Sequence, residues 1–138
     1  MASIIQSIEI DAPAAAVWDA VADFGAVHTR FAPRFVVDTT LEPGARVVTF
    51  ANGLVARELF VSSDDAQRRL VYSVRTERFD HHNGAFQVAD LGGGRCRLTW
   101  TADVLPDAIA PTVEGMMIQG LKVAQGVVGR VPRETVAA

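Results

Sequence analysis

One long helical segment, roughly Asp107 to Gly129, closes this chain, and nearly everything between residue 35 and that segment reads as strands and turns. A single helix must then cover a single curved antiparallel sheet, because the apolar face of each has no other large element to bury against. A sheet curled over one helix leaves part of its interior unfilled, and that space is the natural place for a function. The helix carries Val113, Met116, Met117, Gly120, Ala124 and Val127 on one side, with Glu114, Lys122 and Gln125 interrupting the rest, so it is amphipathic and not membrane-spanning. Gly115, Gly120 and Gly126 each cost about 1 kcal/mol of helix stability relative to alanine, which calls either for room beneath the helix or for close packing onto the sheet. Adjacent methionines suit an adaptable apolar surface, although core filling is the commoner use of methionine.

The remaining elements follow from periodicity and punctuation. Ser3 to Asp11 alternates, with Ile4, Gln6, Ile8 and Ile10 on one face of a strand, and Pro13 suits the first turn of the helix that follows. In that helix Val17, Trp18, Val21 and Phe24 recur at helical spacing, Asp11 and Asp19 lie toward the positive end, and Gly25 ends it. A second short helix or turn is expected from Ala26 to Phe31, stopped before Pro33. Turn signals at Glu42-Pro43-Gly44, Asn52-Gly53, Asp64-Asp65 and Gly92-Gly93-Gly94 then separate runs rich in Val, Leu, Phe, Tyr and Thr, the pattern of a meander of hairpins. Alternation sets Cys96, Leu98, Trp100, Ala102 and Val104 inward, and likewise Leu70, Tyr72 and Val74, with Phe86 and Val88. From Leu54 to Ser62 two faces compete, Leu54, Ala56, Glu58 and Phe60 against Val55, Arg57, Leu59 and Val61, and periodicity does not choose between them.

Composition narrows the function classes. The 138 residues fit one domain, 1–138, and 49% hydrophobic residues, 21% charged residues and a net charge of −3 describe a globular chain whose field repels nucleic acid. No basic segment and apolar core of a secretory signal opens the chain, so a cytoplasmic location is expected. Cys96 is the single cysteine, which rules out an intrachain disulfide and favours a buried inert thiol. His28, His81 and His82 are not spaced as zinc ligands, and neither a metal nor a cofactor is expected. Gly92-Gly93-Gly94 precedes a strand and not a helix, so it is a hairpin turn and not a phosphate cradle.

The order strand, two short helices, six strands, long helix resembles the helix-grip fold of the START and polyketide-cyclase-like superfamily, often abbreviated SRPBCC. The resemblance spans nearly the whole chain and rests on an ordered set: Ile10-Asp11-Ala12-Pro13, Val17-Trp18, Asp23-Phe24, Gly44-Ala45-Arg46, Asn52-Gly53, Arg57-Glu58-Leu59, Asp64-Asp65, Leu70-Val71-Tyr72-Ser73-Val74, Gly93-Gly94 and Leu98-Thr99-Trp100. It implies an α+β fold, a curved seven-stranded antiparallel sheet wrapped around a long C-terminal helix, with two short helices between strands one and two. It also implies a hydrophobic cavity between sheet and helix that holds lipids, aromatic polyketides, hormones or other small apolar molecules. The plant abscisic acid receptors of this superfamily look similar through Gly53-Leu54-Val55-Ala56, which echoes their gate loop, and Arg57-Glu58-Leu59, which echoes the strand after it. Val55 stands where their gate has proline and the connection is shorter, so a hormone-receptor role is not supported.

Carried over position by position, the similarity makes Arg46 and Glu58 polar cavity residues, with Ala56, Phe60, Tyr72, Met116 and Gly120 nearby. Phe86 and Trp100 join them as aromatic walls, although for Trp100 the core reading is the stronger. Arg46 and Glu58 fall on neighbouring strands of one hairpin and pair if both point inward; lying at the rim in water is the equal alternative. His81 and His82 precede the Phe86 strand, where surface positions are commoner than an approach to the cavity mouth. The leading expectation is a carrier or sensor of a small hydrophobic or aromatic metabolite. One rival is a polyketide cyclase or dehydratase in which Tyr72, Glu58 or a histidine moves a proton. Another is a protein-interaction module using the curved sheet or the edge near Val36 to Leu41. The partners expected are a small hydrophobic molecule and, as an open option, a second copy of the chain, with no nucleic acid and no stable membrane insertion.

Overall fold

The structure is a computed structural model that describes residues 1–128. The expected helix end at Gly129 and the last ten positions of the 1–138 domain lie outside the described residues. The chain opens with strand β1 (Ala2–Ile10), helix α1 (Ala14–Ala22) and a single π-helical turn (Val27–Phe31). Six strands follow: β2 (Val36–Glu42), β3 (Ala45–Phe50), β4 (Val55–Asp64), β5 (Arg69–Arg75), β6 (His81–Gly92) and β7 (Arg95–Leu105). A 3-10 turn (Asp107–Ile109) leads into the closing helix α2 (Ala110–Val127).

All seven strands form one antiparallel sheet in the order β1-β7-β6-β5-β4-β3-β2, so the first strand returns beside the last and the other six run as the expected meander. Its inward rows are those that alternation marks. Ile4 and Ile10 of β1, Leu70, Tyr72 and Val74 of β5, Phe86 and Val88 of β6, and Cys96, Leu98, Ala102 and Val104 of β7 are all buried. The ambiguity in β4 is resolved in favour of the even-numbered face: Glu58 is buried, while Val55 and Val61 are more than half exposed.

Two clusters make the core. The larger joins α1 and the π-turn to the middle of the sheet through Ile10, Val17, Val21, Phe31, Leu98 and Leu121. The smaller sets Met117 against Ile4, Ala102 and Val104. Trp18 is core, as its helical spacing suggests, and its Nε1–H donates to Asp65 Oδ1 at 2.9 Å, tying α1 to the β4–β5 turn. Arg30 of the π-turn holds α1 from outside, with Asp19 at 2.6 Å and Asp23 at 3.0 Å.

Helix α2 lies chiefly along β1 and touches β7 and the π-turn. Gln6 Nε2 donates to Glu114 Oε2 at 2.9 Å, and Gln125 Nε2 to the Glu9 carbonyl at 2.8 Å, so polar contacts reinforce that placement. The concave faces of β4, β5 and the start of β6 are therefore less fully covered than those of β1 and β7. Of the three helix glycines only Gly120 is there for close packing, since a Cβ would come within 3.1 Å of Phe35 and 3.2 Å of Trp100, whereas Gly115 and Gly126 face open space.

Candidate functional site

The β3–β4 hairpin brings Arg46 directly opposite Glu58. Asn52 shapes its turn, its Oδ1 accepting from the Leu54 N–H at 3.0 Å, and Gly53 adopts φ of +89°, a left-handed conformation suited to glycine. Both charged side chains turn into the concave face, where Arg46 Nε donates to Glu58 Oε1 at 2.7 Å with the side chains 5% and 9% exposed. Arg46 Nη1 also donates to the Phe24 carbonyl at 3.2 Å, and the guanidinium lies 4.1 Å from the centre of the Phe24 ring and 5.6 Å from that of Tyr72. Ion pair, carbonyl and two aromatic faces together fix the guanidinium between the sheet and the end of α1. The rim alternative is thereby set aside for both residues.

Tyr72 of β5 faces Gly84 of β6 in the ladder, and a Cβ on Gly84 would collide with the Tyr72 ring. A glycine inside a strand often marks such a close approach, and here it lets the phenol lie flat over the sheet. Trp100 of β7 donates its Nε1–H to Tyr72 Oη at 2.9 Å. Burial first, and then the Glu58 carboxylate, push the Tyr72 hydroxyl far above the ordinary phenol range, so it stays protonated. Phe86 lies 4.6 Å from Trp100 and 6.0 Å from Tyr72 between ring centres, completing an aromatic wall on three adjacent strands.

Beneath this wall lie two adjoining pockets, or lobes, whose linings share Phe35, Phe50, Glu58, Tyr72 and Trp100. The smaller, about 40 Å³, lies toward α1 and the π-turn and includes Arg46. The larger, about 110 Å³, lies under α2, bounded by Val113, Met116 and Met117 on one side and by Ala56, Val74 and His82 on the other, with exposed Val55 and Arg78 at its rim. His82 also borders a polar cleft on the outer surface, together with Val74, Thr76 and Phe79, so these four side chains separate the inner lobe from that cleft. Its ring centre is 5.4 Å from that of Phe79 and 6.4 Å from that of Tyr72. Both imidazole nitrogens are sealed from solvent and have no hydrogen-bond partner among the described residues. Burial, and then neighbouring His81, pull the imidazole down to about 4, so it is neutral at pH 7. Among the described residues no three His, Cys, Asp or Glu side chains group as metal ligands, and no helix is long and apolar enough to cross a membrane.

The family described as polyketide cyclase / dehydrase and lipid transport matches residues 1–126, nearly the whole chain. The chain belongs to this family. Among solved structures, an uncharacterised protein from Bacillus thuringiensis is similar over 91% of this chain and 97% of its own, at 20% identity and a TM-score of 0.81. A di-domain aromatase/cyclase, BexL of the BE-7585A biosynthetic pathway, is similar over 92% of this chain and 46% of its own, at 18% identity and a TM-score of 0.79. Norcoclaurine synthase from Thalictrum flavum, in truncated form, covers 90% of each chain at 17% identity and a TM-score of 0.70. At these identities the likeness is one of fold, the helix-grip fold of the START-like superfamily. No curated protein matches by sequence.

Within this polyketide cyclase/dehydrase and lipid transport fold, the expected site residues divide. Arg46 and Phe86 line the smaller lobe, Ala56 and Met116 the larger, and Glu58, Tyr72 and Trp100 both. Gly120 lies behind the wall, packed on Trp100 and Phe35. Phe60 is not part of the cavity. It shares the face of Glu58 but is 45% exposed, and its ring packs edge-on against Phe24 at 5.5 Å. Alternation gives the face of a strand residue but not how far the cover extends, and at Phe60 the cover has ended. Trp100 is both core and wall, partly buried, packed against the two core clusters and bordering both lobes. Sequence reasoning passed over Phe35, Phe50, Gly84 and Met117 as site residues and favoured a surface position for His82. Gly84 alone carried a signal, a glycine inside an otherwise strand-like run.

Proposed function

We propose that this chain binds one small aromatic or hydrophobic metabolite in the two-lobed cavity, as a carrier or sensor. The observation that carries this reading is an unfilled, aromatic-walled space with a single desolvated ion pair aimed into it. Side chains have been kept out of a volume that a larger residue at Ala56, Val74 or Met116 could fill, and close packing is otherwise the rule in protein interiors. A buried ion pair is a poor way to gain stability, so its place in the wall suits the orientation of a polar group on a ligand. Membership of a family described as polyketide cyclase / dehydrase and lipid transport supports a small-molecule role of either kind.

The cyclase reading is the weaker of the two. A proton shuttle works best with a group that titrates near the working pH, whereas Tyr72 is held protonated and His82 is held neutral. Both are suited to hydrogen bonding. A protein partner is disfavoured because the interior is left open to a small molecule.

Native mass spectrometry of the gently purified full chain, followed by extraction, tests the proposal. A reproducible small aromatic or apolar adduct is expected, and the same compound at a hundred times its Kd should add about 2.7 kcal/mol of stability. Met116→Trp should fill the larger lobe and abolish that gain while the variant still unfolds cooperatively. A chain that carries nothing and gains nothing from a panel of aromatic and lipid compounds would refute the reading.

A further inference from the structure

The larger lobe contains a polar feature that the ion pair does not explain. Resting on the cavity reading above, we propose that this lobe is a site for an uncharged hydroxyarene, a phenol-type ring whose hydroxyl is read by the neutral imidazole of His82.

The first argument is hydrogen-bond accounting. A neutral imidazole has one donor and one acceptor nitrogen, and buried polar groups are nearly always paired. Neither nitrogen of His82 has a partner among the described residues. Around the lobe, Val74, Phe79, Val113, Met116 and Met117 cannot supply one, and the Thr76 and Tyr72 hydroxyls, which accept from the Arg78 N–H at 3.2 Å and the Trp100 Nε1–H at 2.9 Å, make no hydrogen bond to the imidazole. A hydroxyl can donate or accept, so it satisfies whichever nitrogen it meets.

The second argument is charge. Arg46 and Glu58 cancel one another, and Tyr72 and His82 carry no charge at neutral pH. A carboxylate brought into the lobe would find no free cation there, and an ammonium no free anion, so either would be buried uncompensated. Arg78 borders the same lobe but is exposed, at the rim. A phenol has an ordinary pKa close to that of tyrosine, about 10, and enters neutral.

Size is the third argument. The lobe is about 110 Å³. A dry apolar cavity of about 150 Å³ accepts one benzene, so a single ring with a small substituent is the right scale once the adjoining lobe is counted. Phe35, Phe50, Tyr72 and Trp100, which line this lobe, supply aromatic surface for that ring.

The test uses the full chain, ¹⁵N-labelled, titrated at pH 7 with toluene, phenol and benzoate, in the wild type, His82→Phe and His82→Asn. Phenol should bind about tenfold or more tightly than toluene, the worth of one well-placed hydrogen bond, and benzoate no more tightly than toluene. The preference for phenol should vanish in His82→Phe and survive in part in His82→Asn. In the wild type the imidazole ¹⁵N resonances of His82 should move with phenol and not with toluene, a readout that needs no variant to fold. Equal binding of toluene and phenol, a preference that persists in His82→Phe, or benzoate binding tightest would each overturn the assignment and leave the cavity reading standing. Failure of all three probes to bind would also overturn the assignment, while the cavity reading is decided separately by the mass spectrometry and the wider ligand panel.

Discussion

Arg46 and Glu58 are joined at 2.7 Å with less than a tenth of either side chain exposed, so each has given up nearly all its hydration for the other. Such a pair is a poor stabiliser as a pair and a strong one as two halves. Removing either partner strands a buried charge; removing both leaves an apolar hole that packing can fill. Glu58→Leu and Arg46→Met should therefore each cost about 3–5 kcal/mol, while the double variant should return to within about 1 kcal/mol of the wild type or exceed it. Urea denaturation of the four proteins at pH 7 measures this coupling. Single variants that lose less than about 1 kcal/mol would mean that water reaches the pair, and the case for an orienting role would go with it.

At the scale of the element, glycine has opposite meanings in β6 and α2. Gly84 is required by the Tyr72 ring pressed against it, so Gly84→Ala should displace that ring from Trp100 and destabilise by about 1–3 kcal/mol or more. Gly115 stands inside α2 with nothing near its missing side chain, so Gly115→Ala should gain about 0.5–1 kcal/mol from helix propensity and backbone entropy. Thermal unfolding of the two variants separates them by sign, and a stabilising Gly84→Ala would mean that Tyr72 does not occupy that place. The same contrast marks what the sequence could tell. Strand faces were legible in β5 and β7 because a period of two is local to each strand. They were not legible in β4, where both faces are apolar and the choice rests on register against β3 and β5, a property of strand pairs. Arg46 and Glu58 were reached through the hairpin and the family likeness. His82 was missed because a histidine at a strand's start is exposed or sealed according to what the far ends of α2 and the β5–β6 turn place over it. No pattern in its own neighbourhood records that.

Over the whole molecule, a helix anchored on β1 and β7 leaves the other half of the concave sheet to be closed by side chains, and His82 is one of those that close it. The groups around it are His81 in sequence, Arg78 and Asp80 on the turn, and Tyr72 and Glu58 across the interior, with apolar Val104 paired to it from β7 and Val113, Met116 and Met117 from α2. Because the native imidazole titrates at about 4 and the unfolded one near 6.5, the unfolded chain binds a proton in the interval that the native chain refuses. The stability due to a neutral His82 is thus fully present above about pH 6.5 and is lost as pH falls toward 4, a change on the order of 2–3 kcal/mol. Carboxylates add their own acid dependence, so the informative quantity is the difference between the wild type and His82→Asn, which has no such proton to bind. Denaturation midpoints from pH 4.5 to 7.5 should fall more steeply with acid in the wild type, and the two curves should converge in slope above pH 7. Parallel curves across the whole range would show that the imidazole is solvated in the native state, and the wall between the inner lobe and the outer cleft would then have to be drawn through other side chains.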